Sequence, residues 1–250
     1  MLRNANVIAG LMVKDEALSA VLKQRTFDRA TTMKSQDILL LLKLVSLYKL
    51  EQHELQLGLE GGALLVTAQE YWSGGSWQGW ELSDEDPDIA PTVQAKDRYS
   101  VRNLEAMTGI SKSEISASLK RSFNAGLASL DRKVKFPRAN NRALKEFIVH
   151  GLKYVFPAGP GKIMRGIPTS LAAPVMAGKL MSAGDVINVW PDPTGNQKGQ
   201  SIQPLFKSVP KAVKQDPELY KLLALVDAIR LGNARETQLA VKLLDDELQL

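Results

Sequence analysis

Across residues 99–127 the chain reads YSVRNLEAMTGISKSEISASLKRSFNAGL, and the apolar spacing there fits two short helices meeting at a tight turn. Leu104 and Met107 share one face of a first helix, Thr108-Gly109 ends it, and Ile110 is the apolar plug of the turn. A second helix starts at Ser111. Ser111-Lys112-Ser113-Glu114 has the S-x-x-E form of a capping box, in which the serine hydroxyl and the glutamate carboxylate satisfy backbone N–H groups that lack partners inside the helix. Ile115 and Leu119 recur at helical spacing and face inward. That leaves Lys112, Ser113, Ser116, Ala117, Lys120 and Arg121 on the outer face.

Small polar residues interleaved with cations on an exposed helix suit the DNA major groove, where the cations reach phosphates or guanine edges. The pattern L-x-x-x-T-G-I-S-K-S-x-I-S-x-x-L-K-R, closed by Ala125-Gly126-Leu127, resembles the second and third helices of winged helix-turn-helix regulators of the MarR-like kind. Glu105 departs from it, standing where that family usually has alanine. The stretch MKSQDILLLLKLVSL, residues 33–47, also resembles the helix that opens such domains. The resemblance implies sequence-specific binding of double-stranded DNA by a transcriptional regulator, or by the antitoxin or regulator of a small operon. It places a wing in residues 128–141, where Arg132, Lys133, Lys135 and Arg138 would hold phosphates or the minor groove. Ser111, Lys112, Ser113, Ser116, Ala117, Lys120 and Arg121 would then contact DNA from the recognition helix.

The formal net charge is +5 and the isoelectric point is near 9.3, a mild excess that points to an anionic partner. Its distribution is more telling. From residue 99 to 165 the cations Arg102, Lys112, Lys120, Arg121, Arg132, Lys133, Lys135, Arg138, Arg142, Lys145, Lys153, Lys162 and Arg165 outnumber Glu105, Glu114, Asp131 and Glu146. With no cysteine there is no disulfide, thiolate metal site or cysteine nucleophile, which is compatible with a reducing cytoplasm. His53 and His150 lack metal-ligand spacing, and Gly161-Lys162 is followed by isoleucine where a phosphate-binding loop needs serine or threonine. No nucleophile elbow, zinc motif or dinucleotide fingerprint is present, so neither an enzyme nor a cofactor is expected. The alternatives are a protein-interaction adaptor using the helical hairpin without nucleic acid, or an accessory helix-turn-helix on an unrecognised enzyme.

The expected class is mainly α with small β elements (α+β), in three parts. Residues 1–32 form a helical appendage, and residues 33–156 the winged helix-turn-helix domain. The latter holds a helix over residues 38–47 that is apolar all round and therefore buried, and a loop inserted at 51–98 with one short strand at 63–67. That loop concentrates Trp72, Trp77 and Trp80 and ends in an acidic run. Residues 157–250 begin as an extended linker over the surface to Pro174, then form a β-hairpin or a small sheet around Pro191–Asn196 and a helix pair opened by Asp216-Pro217. This region would serve as an effector, dimerisation or partner-docking module. The leucine-rich faces of residues 2–22 and 219–248 make a homodimer the expected state. No apolar run is long enough for a bilayer, so no membrane partner is expected.

Overall fold

The computed structural model describes residues 32–57, 79–81, 97–179 and 186–250. The chain divides into two compact units, Met1–Met33 and Lys34–Leu250, and the second carries the architecture below. The helices expected before residue 30, the strand at 63–67, Trp72, Trp77 and the acidic residues at 84–88 lie outside the described residues.

Helix α1 (Ser35–Gln56) is buried at every position from Gln36 to Leu47. Over that stretch its leucines and isoleucine leave no face for water, and burial of that many aliphatic side chains is its main stabilisation. Lys34 is the N-cap, and its N–H donates to Asp37 Oδ2 at 2.8 Å. It runs on to Gln56, through residues expected in the inserted loop.

Helices α2 (Val101–Thr108) and α3 (Lys112–Asn124) follow, joined at Gly109. Gly109 has φ +67°, and a β-carbon there would lie 2.7 Å from Ser208 Cβ, so backbone conformation and packing both demand glycine. A hairpin of β1 (Ala128–Leu130) and β2 (Pro137–Ala139) comes next, paired Ala128 with Ala139 and Leu130 with Pro137. Helix α4 (Asn141–His150) is capped by Asn140, whose side chain accepts the Ala143 N–H, and Gly151 separates it from the single turn α5 (Leu152–Val155).

Where a linker was expected, residues 160–168 form a strand. This β3 (Pro160–Pro168) pairs antiparallel with both β4 (Asn188–Pro191) and β5 (Gln197–Ile202), which run parallel to each other, so the three close into a small barrel. Of the two expected alternatives, the small sheet forms and the hairpin does not, since β4 and β5 run parallel. The closure depends on missing β-carbons. One on Gly166 would sit 2.1 Å from the Trp190 carbonyl oxygen, one on Gly195 2.1 Å from the Gly166 backbone, and one on Gly199 2.3 Å from the Ile187 carbonyl oxygen.

Helices α6 (Val209–Lys214), α7 (Pro217–Leu231) and α8 (Ala234–Leu248) complete the unit. The Asp216-Pro217 start is as expected: Asp216 accepts the Leu219 N–H at 2.9 Å, and its other oxygen accepts Lys43 Nζ at 2.8 Å and Ser46 Oγ at 2.6 Å. Burial acts to raise the Asp216 pKa, but the Lys43 charge and these hydrogen bonds outweigh it and hold the carboxyl below its usual range. Helix α7 is buried from Glu218 to Ile229 except at Lys221, and Ala240, Leu244 and Leu248 of α8 are buried too, so these leucine faces are consumed in the chain's own core. Asp227 ties α7 to the barrel. It accepts Trp190 Nε1 at 2.7 Å, Thr169 Oγ1 at 3.1 Å and Arg230 Nη1 at 2.6 Å. Burial still keeps its pKa above the usual carboxylate value.

The middle of the long insertion is pinned to this barrel. Trp80 bridges Gly195, the Glu81 N–H donates to the Thr194 carbonyl at 2.7 Å, and the Asn196 N–H donates to the Gly79 carbonyl at 3.0 Å. The Trp80 ring meets Tyr220 edge-on at 6.1 Å, and Arg165 pairs with Glu81 at 2.6 Å.

Candidate nucleic-acid interface

Helix α3 is held from behind. Ile115, Ser118, Arg121 and Ser122 are buried, and the serines' small side chains let the helix pack close to its neighbours. Arg121, expected on the outer face, is only 4% exposed. Its Nε and Nη2 donate to the two oxygens of Asp37 at 2.8 and 2.6 Å, a bidentate pair that locks α3 to the first turn of α1. The hydrogen bond to Asp37, ahead of its charge and that of Glu114, raises the Arg121 pKa further above its ordinary value. Arg121 is therefore a positioning residue and does not reach solvent.

The expected capping box is absent, and the same neighbourhood explains why. Glu114 turns toward α1, where it accepts from Lys34 Nζ at 3.1 Å and from Gln36 Nε2, and it lies 3.6 Å from Arg121 Nη2. The hydrogen bond from Lys34, with help from Gln36 and Arg121, holds the Glu114 carboxyl below its usual pKa range. Ser111 is still the N-cap residue by backbone conformation, but its hydroxyl makes no cap bond and instead lies 3.3 Å from Ser113 Oγ.

What α3 shows to solvent is a shorter set. Lys112, Ser113, Ser116, Lys120 and Asn124 are exposed, as is Ser111 just before them, and Ala117 is half-buried. Lys112 has Glu105 3.6 Å away, so part of its charge is answered locally. Ser116 Oγ donates to the Lys112 carbonyl at 3.1 Å. The side chains of Lys120 and Asn124 make no hydrogen bond or ion pair among the described residues. Asn124 is an addition to the residues expected to contact DNA. It lies four residues beyond Lys120, so one more turn of the same helical period would have reached it.

The β1–β2 hairpin is separated from α3 by Ala125-Gly126-Leu127 and divides its cations in the same way. Arg132, Lys133 and Lys135 stand exposed at the tip, together with Val134. The tip is shaped by Asp131, whose Oδ1 accepts the Lys133 and Val134 N–H groups at 2.7 and 3.1 Å, and by Lys135 in the left-handed region at φ +59°. The Val134 and Lys133 backbone bonds lower the Asp131 pKa. Arg138 points the other way. It pairs with Glu51 at 2.7 Å, donates to the Tyr99 hydroxyl, and lies 4.8 Å from the ring centres of both Tyr48 and Tyr99. Tyr99 in turn stacks on Phe136 at 4.7 Å and donates to Glu51 at 3.1 Å. Arg138, expected to reach DNA, instead anchors the hairpin to the far end of α1 in this structure.

Among the described residues no group of three or more histidines, aspartates or glutamates is arranged to hold a metal, and no helix is long and apolar enough to cross a membrane. Asp245 pairs with Lys145 at 2.7 Å and Glu247 pairs with Lys49, so these two carboxylates of α8 meet different partners. Compared with models of known families, with curated proteins and with solved structures, the chain matches none of them.

Proposed function

We propose that this protein binds double-stranded DNA in a sequence-specific way through α3 and the β1–β2 hairpin, as a winged helix-turn-helix transcriptional regulator or as the antitoxin or regulator of a small operon. One observation carries the reading. Helix α3 and the hairpin tip expose Lys112, Lys120, Arg132, Lys133 and Lys135, while two of the three arginines of the same segment, Arg121 and Arg138, are spent on fixing the helix and the hairpin to α1. An anchored helix with short side chains and outward cations is the arrangement a major groove accommodates, and a basic hairpin beside it suits phosphates or the minor groove. The Pro157-to-Leu250 region supports the frame: Ser208 Oγ donates to the Thr108 carbonyl at the α2–α3 turn.

The reading includes a homodimer, because one recognition helix covers too few base pairs for a genome-scale search and two half-sites about one helical turn apart solve this. Mobility shift with a pool of random-sequence duplexes, and with DNA from upstream of the protein's own gene, tests the proposal. Retention that falls steeply with salt, enrichment of one motif and two chains per duplex are expected. Absence of retention at low salt contradicts the reading.

A further inference from the structure

We propose, resting on the DNA-binding reading above, that Lys120 and Asn124 are the base-reading pair of α3, with Asn124 selecting adenine and Lys120 a guanine close by. On a helix of 3.6 residues per turn, Ser113, Ser116, Ala117, Lys120 and Asn124 share an arc of roughly 100°, with Lys120 near its centre. No carboxylate falls on that arc. Its first half is made of short side chains, and both hydroxyls there are already in contact with a neighbour: Ser113 Oγ lies 3.3 Å from Ser111 Oγ, and Ser116 Oγ donates to the Lys112 carbonyl. Lys112 lies about 40° outside the arc, beside Glu105, and Arg121 is turned into the core. The two long polar side chains left on the arc are Lys120 and Asn124, both exposed and neither bonded among the described residues.

Their chemistry is complementary. An asparagine amide donates to N7 and accepts from N6 of adenine in one plane, and a lysine ammonium donates to O6 and N7 of guanine. Four residues of helix rise by about 6 Å, close to two base-pair steps of about 3.4 Å, so both side chains reach bases within one short stretch of groove. The short residues of the first half let the helix backbone come near enough for them to do so.

The test is selection from a random-sequence duplex pool by the full-length protein and by Asn124→Ala, Asn124→Gln and Lys120→Ala. Asn124→Ala is expected to lose preference at one adenine position, by roughly 5- to 150-fold against the other bases, with an unchanged slope of log affinity against log salt. Asn124→Gln, which keeps the amide fork, is expected to restore part of that preference, and Lys120→Ala to relax a guanine position within about two steps of it. Circular dichroism identical to wild type excludes misfolding as the cause. If the wild-type protein enriches a motif and Asn124→Ala enriches the same one undiminished, the inference is overturned while the DNA-binding reading stands. If the wild-type protein retains no duplex even at low salt, both fall.

Discussion

Lys120 and Arg121 are adjacent in the chain and carry the same charge, yet α3 uses them in opposite ways. Lys120 stands in solvent without an ion pair among the described residues, whereas Arg121 is buried against Asp37. The hairpin repeats the division, with Arg132, Lys133 and Lys135 at the tip and Arg138 folded back onto Glu51 and two tyrosines. The outer cations keep their charge available to a phosphate. The inner ones give theirs to a carboxylate and so fix where the outer ones stand. In α3 the inner cation is the arginine, whose planar fork meets both oxygens of Asp37.

The sharpest way to break this comparison is to remove the acid behind α3. Asp37→Ala leaves the Arg121 guanidinium buried without its partner and is expected to cost about 3–5 kcal/mol in urea unfolding. The double variant Asp37→Leu/Arg121→Met is expected to recover most of that loss, because an apolar pair leaves no unpaired charge. Equal losses in single and double variants would mean that the pair does not hold α3 in place.

The Lys43–Asp216 pair extends the same logic to α1 and α7. Its carboxyl has a pKa below the usual 3.8, so its stabilisation is complete above that value and is lost as pH falls through the lower folded-state value. Asp216→Asn is expected to cost about 3 kcal/mol at neutral pH, since Lys43 is left buried, and to flatten the acid limb of stability against pH. An acid limb unchanged in the variant would assign it to other groups.

Arg138→Gln comes next, with an expected loss of about 1–2 kcal/mol from the ion pair and the stacked rings. It sharpens the comparison through a second readout: the salt dependence of DNA binding should keep its slope. The smallest effect on folding belongs to Arg132→Ala/Lys133→Ala/Lys135→Ala, within about 0.5 kcal/mol per site of wild type. That variant should nevertheless lower the salt slope by up to about 0.9 for each phosphate that the protein no longer neutralises.

The sequence made the segment visible but not the split within it. A helix apolar on all sides can only be buried, and Asp216-Pro217 can hardly be anything but a helix start, so α1 and α7 were readable from local pattern. Glycine after Thr108 marked the α2–α3 turn for the same reason. Arg121 was misplaced because its partner is 84 residues away, and nothing local distinguishes it from Lys120. The capping box failed similarly, since Glu114 found Lys34 and Gln36 at long range. The barrel strand β3 was hidden for a different reason. Its glycines and prolines read as a linker, and only the approach of other backbones at Gly166 and Gly195 shows why side chains are missing there. Trp80, taken with its neighbours as part of a loop, packs on Tyr220.

In the proposed complex the outward cations of α3 and the hairpin face a nucleic-acid backbone and the inward arginines do not. Fluorescence anisotropy of a labelled duplex, titrated at several salt concentrations with wild type and with the variant Lys120→Ala/Arg132→Ala/Lys133→Ala/Lys135→Ala, measures this directly. A slope of log affinity against log salt shallower by up to about 3.6 is expected in the variant, with stability to urea within about 0.5 kcal/mol per site of wild type. Equal slopes in the two proteins would contradict it.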